Sequence, residues 1–242
     1  MFVESITDLI SQLPFMDDKR ALLVVGAFLP IMKAAFVYTV PLAFLSFALG
    51  LVIAVAVALV RIWPSGGRLH WLLLKIVRFY VSAIRGTPLL VQLMIVFYGL
   101  PAIGIKLDPF PTAIIGFSLN VGAYASETIR AAILSVPKGQ WEAGFTIGMT
   151  YMHSFRRIIL PQAFRVAVPP LSNSFIDLFK STSLASTITI TELFRTAQQI
   201  ANANYDFLPV YILAALIYWL FCFVFFIIQE RIERRLERSV AR

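Results

Sequence analysis

The chain has 242 residues, 59% of them hydrophobic and only 14% charged, with a mean hydropathy of +0.81, a composition that excludes an ordinary soluble domain and fits an integral membrane protein. A net charge of +8 does not signal nucleic acid here, because the 21 Lys and Arg are scattered between apolar runs instead of being gathered on one polar domain. The one cysteine, Cys222, lies in the apolar run FCFVFFII, which excludes an intrachain disulfide and a cysteine-based metal framework.

Phe2, Ile6, Leu9, Ile10 and Leu13 recur at helical spacing and predict a short amphipathic stretch at the membrane surface. The opening MFVESITDLI has neither a basic n-region nor a small-residue cleavage site, so no removable signal peptide is expected. After the polar break Asp17 to Arg20, residues 21–32 are apolar but too short to span a bilayer alone. They read as an interfacial or re-entrant piece, or as an extension of the next apolar run. That run, residues 34–60, holds no charge over 27 positions and predicts a first span, closed by the turn residues and basic ends of RIWPSGGR.

A second span is expected over about 69–100, with Lys75, Arg78 and Arg85 toward its start. Arg85-Gly86-Thr87-Pro88 interrupts it, and the backbone groups freed there are tolerable in a membrane only if protein or water satisfies them. Residues 101–111 form a turn-rich linker. The third span runs from about 111 to 134 and carries Asn120, Tyr124 and Glu127. A polar segment, 138–162, comes next. The fourth span lies within 166–190 and is interrupted by Asp177, Lys180 and Ser181-Thr182-Ser183. Residues 191–205 make a polar excursion with a short helix, and 22 uncharged residues from 207 to 228 make the fifth span. The arginines 231, 234, 235 and 238 alternate with Glu230, Glu233 and Glu237, predicting a solvated helical extension. The expected architecture is all-α and membrane-integral: an N-terminal interfacial segment 1–33, one transmembrane unit 34–230 of five helices, and a basic tail 231–242.

Orientation is set by the basic residues flanking the spans. Regions 61–85, 130–165 and 231–242 carry five Lys or Arg each, whereas the other side carries Lys19, Arg20, Lys106 and Arg195. This places the N-terminus outside, and the C-terminus and segment 138–162 in the cytoplasm.

That segment, KGQWEAGFTIGMTYMHSFRRIILPQ, is polar where its surroundings are oily. Trp141, Phe145, Gly148, Met149 and Met152 fall on one face of a helix. Gly148 on that stripe would admit a close neighbour, and Pro161 would end the helix. The order Glu142-Ala143-Gly144, three residues, Gly148, nine residues, Ile158, one residue, Leu160-Pro161 resembles the EAA loop of membrane subunits of bacterial ABC importers. Gly144 stands where that loop usually has a second alanine, at a cost to helix stability of about 1 kcal/mol.

The resemblance extends further. IRGTPLLVQL, FYGLP, AYASETIRAAI, SVPKGQWEAG, ILPQAFR, PPLSNSFI and KSTSL are similar to runs in polar amino acid permeases of the histidine, glutamine and cystine uptake systems. FYGLPAIGIKLDPFPTAIIGFSLN, GQWEAGFTIGMT and ELFRTAQQI look most like cystine permeases. The resemblance implies a type I permease in a bacterial inner membrane, dimerised with itself or a related chain. It further implies a pair of separate cytoplasmic ATPases gripping residues 142–152, and an extracytoplasmic solute-binding protein that delivers the amino acid. Ser181 stands where the family usually has an aspartate.

Ionisable groups inside the hydrocarbon need partners, water or cargo. Glu127 with Arg130 and Asp177 with Lys180 are each three apart and can pair on a helix face, a purely structural outcome. Asn120, Tyr124, Asn173 and Ser174 can instead bond across the bundle. The candidates for a zwitterion's path are Asn120, Tyr124, Glu127, Asn173, Asp177, Lys180 and Thr182, with Ser181 and Ser183 beside them. Arg85 reads as a snorkelling anchor or as a support for the helix leading to the docking segment. His70 and His153 belong to no metal-ligand pattern. With no G-x-x-x-x-G-K-[ST] loop in the sequence, ATP would be bound by a partner, and no cofactor is expected on this chain. An ion-coupled transporter or channel relaying protons through Glu127, Asp177 and Lys180 is the rival class. A membrane enzyme lacks any H-E-x-x-H or nucleophile constellation.

Overall fold

A computed structural model describes residue 8 and residues 11–12, 16–64 and 67–238, so the amphipathic stretch expected at 2–13 lies almost wholly outside the described residues. Every regular element among the described residues is helical.

Helix α1 runs unbroken over Asp18–Ile62, 45 residues, and so passes straight through position 33, where the composition suggests a segment boundary. Asp17 starts it by accepting a hydrogen bond from the Arg20 amide. Pro41 is accommodated by a π-helical turn, Ala35–Thr39, in which the Val40 amide reaches back to the Ala35 carbonyl. A proline cannot make the ordinary α-helical bond, and the widened turn ahead of it absorbs the mismatch without a break. At 1.5 Å per residue α1 is about 68 Å long, twice the hydrocarbon thickness, so its first turns stand beyond the bilayer core.

The second expected span is not one rod. Helices α2 (Arg68–Arg85) and α3 (Leu89–Ala102) meet at an angle of 112° around Gly86-Thr87-Pro88. The buried Gln92 side chain satisfies the bend: its amide donates to the Ile84 carbonyl at 2.7 Å and the Thr87 carbonyl at 2.9 Å. Its oxygen accepts from Asn120 Nδ2 at 2.9 Å, which pins the bend to the next helix.

Helix α4 (Pro109–Leu134) is the centre of the bundle and packs against α1, α2 and α3 and the long helix that begins within segment 138–162. Small residues make this possible. A Cβ on Gly122 would meet Ile53 Cγ2 at 2.6 Å and the Tyr80 hydroxyl at 2.8 Å, so α1 and α2 approach the α4 backbone itself. By length and apolarity alone, Asp18–Ile62 and Phe207–Leu236 qualify as spans, with the bent α2–α3 pair as a third. Helix α4 carries its polar and small residues because protein surrounds it.

Segment 138–162 is a helical hairpin, not one striped helix. Helix α5 (Lys138–Thr146) ends in a Schellman turn, with the Met149 amide on the Gly144 carbonyl at 3.0 Å and the Gly148 amide on the Phe145 carbonyl at 2.9 Å. Gly148 has φ of +80° and nothing within 4 Å of an added Cβ, so it serves the turn, and the close approach expected there is absent. That approach occurs at Gly144, where a Cβ would lie 2.6 Å from Ser154 Oγ and 3.3 Å from Ile158 Cδ1. Helix α6 then runs continuously through Tyr151–Ser154, a π turn Phe155–Ile159 and Leu160–Ser181. Pro161 does not end it, because the Leu160 amide bonds to the Phe155 carbonyl and the π turn absorbs the proline as it does ahead of Pro41. Trp141 turns inward, stacked on Tyr151 at 4.8 Å and Phe155 at 6.3 Å. Ile133, Val136, Ile159 and Ala163 complete this small core, which welds the hairpin to the end of α4.

After a 3-10 turn, Thr182–Ile188, the polar excursion folds back into the bundle as helix α7 (Leu193–Asn204). Leu193, Ala197 and Ala201 bury its apolar face against α1 and the last helix, α8 (Phe207–Arg238). Fully buried Glu192 caps it, accepting from the Phe194 and Arg195 amides and from the Tyr218 hydroxyl at 3.0 Å. The Leu193 amide donates to Thr39 Oγ1 in the π turn of α1.

Two substitutions test this packing. Gly144→Ala lowers the unfolding midpoint of the purified protein, with an overpacking cost of about 1–3 kcal/mol, and Ser154→Gly in the same chain restores most of it. Gln92→Leu leaves the carbonyls of the bend unpaired and costs about 1–3 kcal/mol, read as a lower denaturation temperature in detergent.

Candidate substrate path and coupling surface

The hairpin offers one face outward and keeps the other for itself. Glu142 and Ala143 are exposed, as are Phe145, Ile147 and Met152, whereas Gly144 is buried and Ile158 packs in the hairpin core. Gly148, Leu160 and Pro161 are also at the surface, so five of the seven loop positions are accessible and two hold the loop's shape. An acid between exposed apolar side chains suits a protein groove better than lipid.

Three of the path candidates meet. Asn120 and Tyr124 of α4 and Asp177 of α6 line one cavity of about 340 Å³, together with Thr87 at the α2–α3 bend and Ser174 and Ser181 of α6. Asp177 pairs with Lys180 at 2.8 Å, but both side chains are more than half exposed, so the pair is open to solvent or to a neighbouring chain. The Ser181 hydroxyl is turned back to the Asp177 carbonyl at 2.8 Å.

Glu127 lies elsewhere. Its carboxylate is held by Arg61 at the end of α1, by Arg130 at 2.9 Å and by Arg85 of α2 at 3.6 Å. The expected i,i+3 pair with Arg130 therefore forms within a larger cluster that joins three helices. It borders a second cavity, of about 530 Å³, lined by Arg61, Arg78, Ser82, Arg85, Tyr124 and Glu127. Tyr124 is common to both cavities, with the Arg85 guanidinium 5.6 Å from its ring centre.

Asn173 and Thr182 line neither cavity. Asn173 accepts from Gln229 Nε2 at 3.0 Å on the side facing α8. Thr182 begins the 3-10 turn, which rotates it fully into the core, where its hydroxyl donates to the Phe179 carbonyl. Gln92, Thr87, Arg61 and Glu192 are not among the site residues expected from the sequence, although Thr87 and Arg61 lie in the turn motifs noted there. Gln92 stands alone in the apolar run LLVQLMIV, a signal for a buried hydrogen bond. Glu192 directly precedes a helical pattern, the position of a cap. Arg61 is separated from Glu127 by 66 positions, and nothing local announces their contact.

Residues 63–238 match the family model described as the inner membrane component of binding-protein-dependent transport systems. The chain is 58% identical over 221 residues, 91% of its own length and 92% of the relative's, to the L-cystine transport system permease protein TcyB of Bacillus subtilis (strain 168). It is 37% identical over 227 residues, 89% of its length and 93% of the relative's, to the L-cystine transport system permease protein TcyL of the same organism. Among solved structures it is similar to the crystal structure of an amino acid ABC transporter with histidines. There the TM-score is 0.75 at 31% identity, over 90% of this chain and 95% of that one. The inward-facing MetNI methionine ABC transporter shares the fold, with a TM-score of 0.61 at 20% identity, over 91% of this chain and 99% of that one. This chain belongs to the family of inner membrane components of binding-protein-dependent transport systems, and its fold is that of the type I ABC importer permeases.

Proposed function

We propose that this chain is the translocating subunit of an ATP-driven importer of polar amino acids and that L-cystine is its cargo. The 58% identity to a cystine permease over nine-tenths of both chains carries the cargo assignment. Segment 138–162 is the surface on which a separate ATPase acts, with Glu142 in its groove, and an extracytoplasmic protein delivers the solute. The exposed Asp177 carboxylate suits an ammonium group once Lys180 is displaced from it, and the Asn120 amide and Ser174 hydroxyl beside it suit the other polar groups of an amino acid. A second permease, identical or related, would close the open side of this cavity.

Five crossings, with the N-terminus outside and the hairpin in the cytoplasm, agree with the distribution of Lys and Arg. The motor belongs to another polypeptide, because this sequence has no phosphate-binding loop. Nucleotide must then favour one of two bundle states, and the hairpins are where that preference is applied. A proton relay through Glu127 is disfavoured because arginines already occupy both of its carboxylate oxygens.

In proteoliposomes containing the chain, its ATPase and its binding protein, Glu142→Lys reduces ATP-dependent uptake more than tenfold while ATP hydrolysis continues; wild-type uptake by this variant counts against the coupling role. Unlabelled cystine competes with labelled cystine, and histidine, glutamine and arginine compete far less. If cystine is neither carried nor competitive, the cargo assignment falls and the architecture stands.

A further inference from the structure

We propose that the arginine-lined cavity is a second, inner site for the cargo's carboxylate, entered from the Asp177 cavity past the ring of Tyr124; the proposal rests on the amino acid permease assignment above. The two cavities have opposite chemistry. The first presents one acid, Asp177, with amide and hydroxyl groups; the acid is paired with the exposed Lys180 at 2.8 Å, and an incoming ammonium takes the place of that lysine. The second, about 530 Å³, is lined by three guanidinium groups, Arg61, Arg78 and Arg85, against one carboxylate, Glu127. Glu127 is already engaged by Arg61 and Arg130, with Arg85 at 3.6 Å, so the cavity keeps an excess of positive charge. Arg78 takes part in none of the ion pairs found among the described residues, and its five donors are available to an oxyanion.

Glu127 acts here as a positioning residue. By holding Arg61 and bringing Arg85 close, it sets their donors along the cavity wall, and the hydroxyl-bearing Ser82 lines the same space. Tyr124 stands between the two chambers, with Arg85 over its ring at 5.6 Å. A carboxylate offers Arg85 a stronger, two-pronged partner than an aromatic face, so arrival of the cargo draws Arg85 off the ring. A zwitterion thus meets an acid first and bases second, and each step exchanges one charged contact for another. The phosphate of an anionic lipid headgroup has the same oxyanion chemistry and is the source the test must separate.

The complete transporter is placed in nanodiscs of phosphatidylcholine, and modification of Arg78 by phenylglyoxal is followed by peptide mass spectrometry. L-Cystine slows the modification, whereas cystamine, the same disulfide diamine without carboxylates, does not. Equal rates with and without cystine overturn the proposal. So does full protection by phosphatidylglycerol discs without cystine, which assigns the site to a headgroup. In proteoliposomes, Arg78→Gln lowers saturating cystine uptake about tenfold, the scale of one charged hydrogen bond, and Arg78→Lys recovers part of it. Wild-type uptake by Arg78→Gln also overturns the proposal. If the wild-type complex moves another amino acid but not cystine, the cargo assignment is at fault, and the labelling is read with that amino acid against its decarboxylated amine. A wild-type complex that moves no amino acid sinks the permease assignment itself.

Discussion

The bundle is held in register by one partly buried carboxylate. Glu127, whose side chain is 19% exposed, gathers Arg61 from the end of α1, Arg85 from the end of α2 and Arg130 from its own helix. A charge cluster of this kind adds little net stability over an apolar contact, but removing the carboxylate leaves its arginines facing one another without a counter-charge. Its value is geometric, because in lipid no hydrophobic drive favours one register of apolar helices, and packing and polar contacts must choose it. The cluster fixes which turn of α1 faces which turn of α4 and where the α2–α3 bend must lie. Gln92 fixes the same bend from the other side, through Ile84, Thr87 and Asn120.

The polar cavities lie where α4 meets α6 and where α4 meets α2, at faces that protein and not lipid covers. A helix facing lipid must be apolar nearly all round, as α1 and α8 are. Helix α4 is enclosed by protein on most sides and is free to carry Asn120, Tyr124 and Glu127. Fully buried Glu192 shows the same economy, since its carboxylate is matched by two amides of the helix it caps and by Tyr218.

Much of this was legible in the residues. Long uncharged runs gave the apolar helices, and the polar character of residues 138–162 set that segment apart, although its apolar stripe suggested one helix where there is a hairpin. Arg85-Gly86-Thr87-Pro88 announced a break whose carbonyls needed partners, and the partner proved to be Gln92, six positions past Gly86. Angles and long-range contacts were not legible. The sharp turn between α2 and α3 depends on α4, and the company of Glu127 comes from 66 and 42 positions away. Pro161 and Gly148 misled for a local reason. A proline stops an α-helix but not one preceded by a π turn, and a glycine on an apolar stripe can be there for its φ and not for its size.

The π turn before Pro161 has a mechanical effect. Because the chain never leaves the helix between Tyr151 and Ser181, the rings that hold Trp141 and the Asp177 carboxylate sit on one continuous helix about 46 Å long, with Pro169 and Pro170 inside it. A loop at Pro161 would have let the hairpin swing while Asp177 stayed still. On a continuous helix, a displacement of the hairpin is passed along the backbone toward Asp177 and is not lost in a loop.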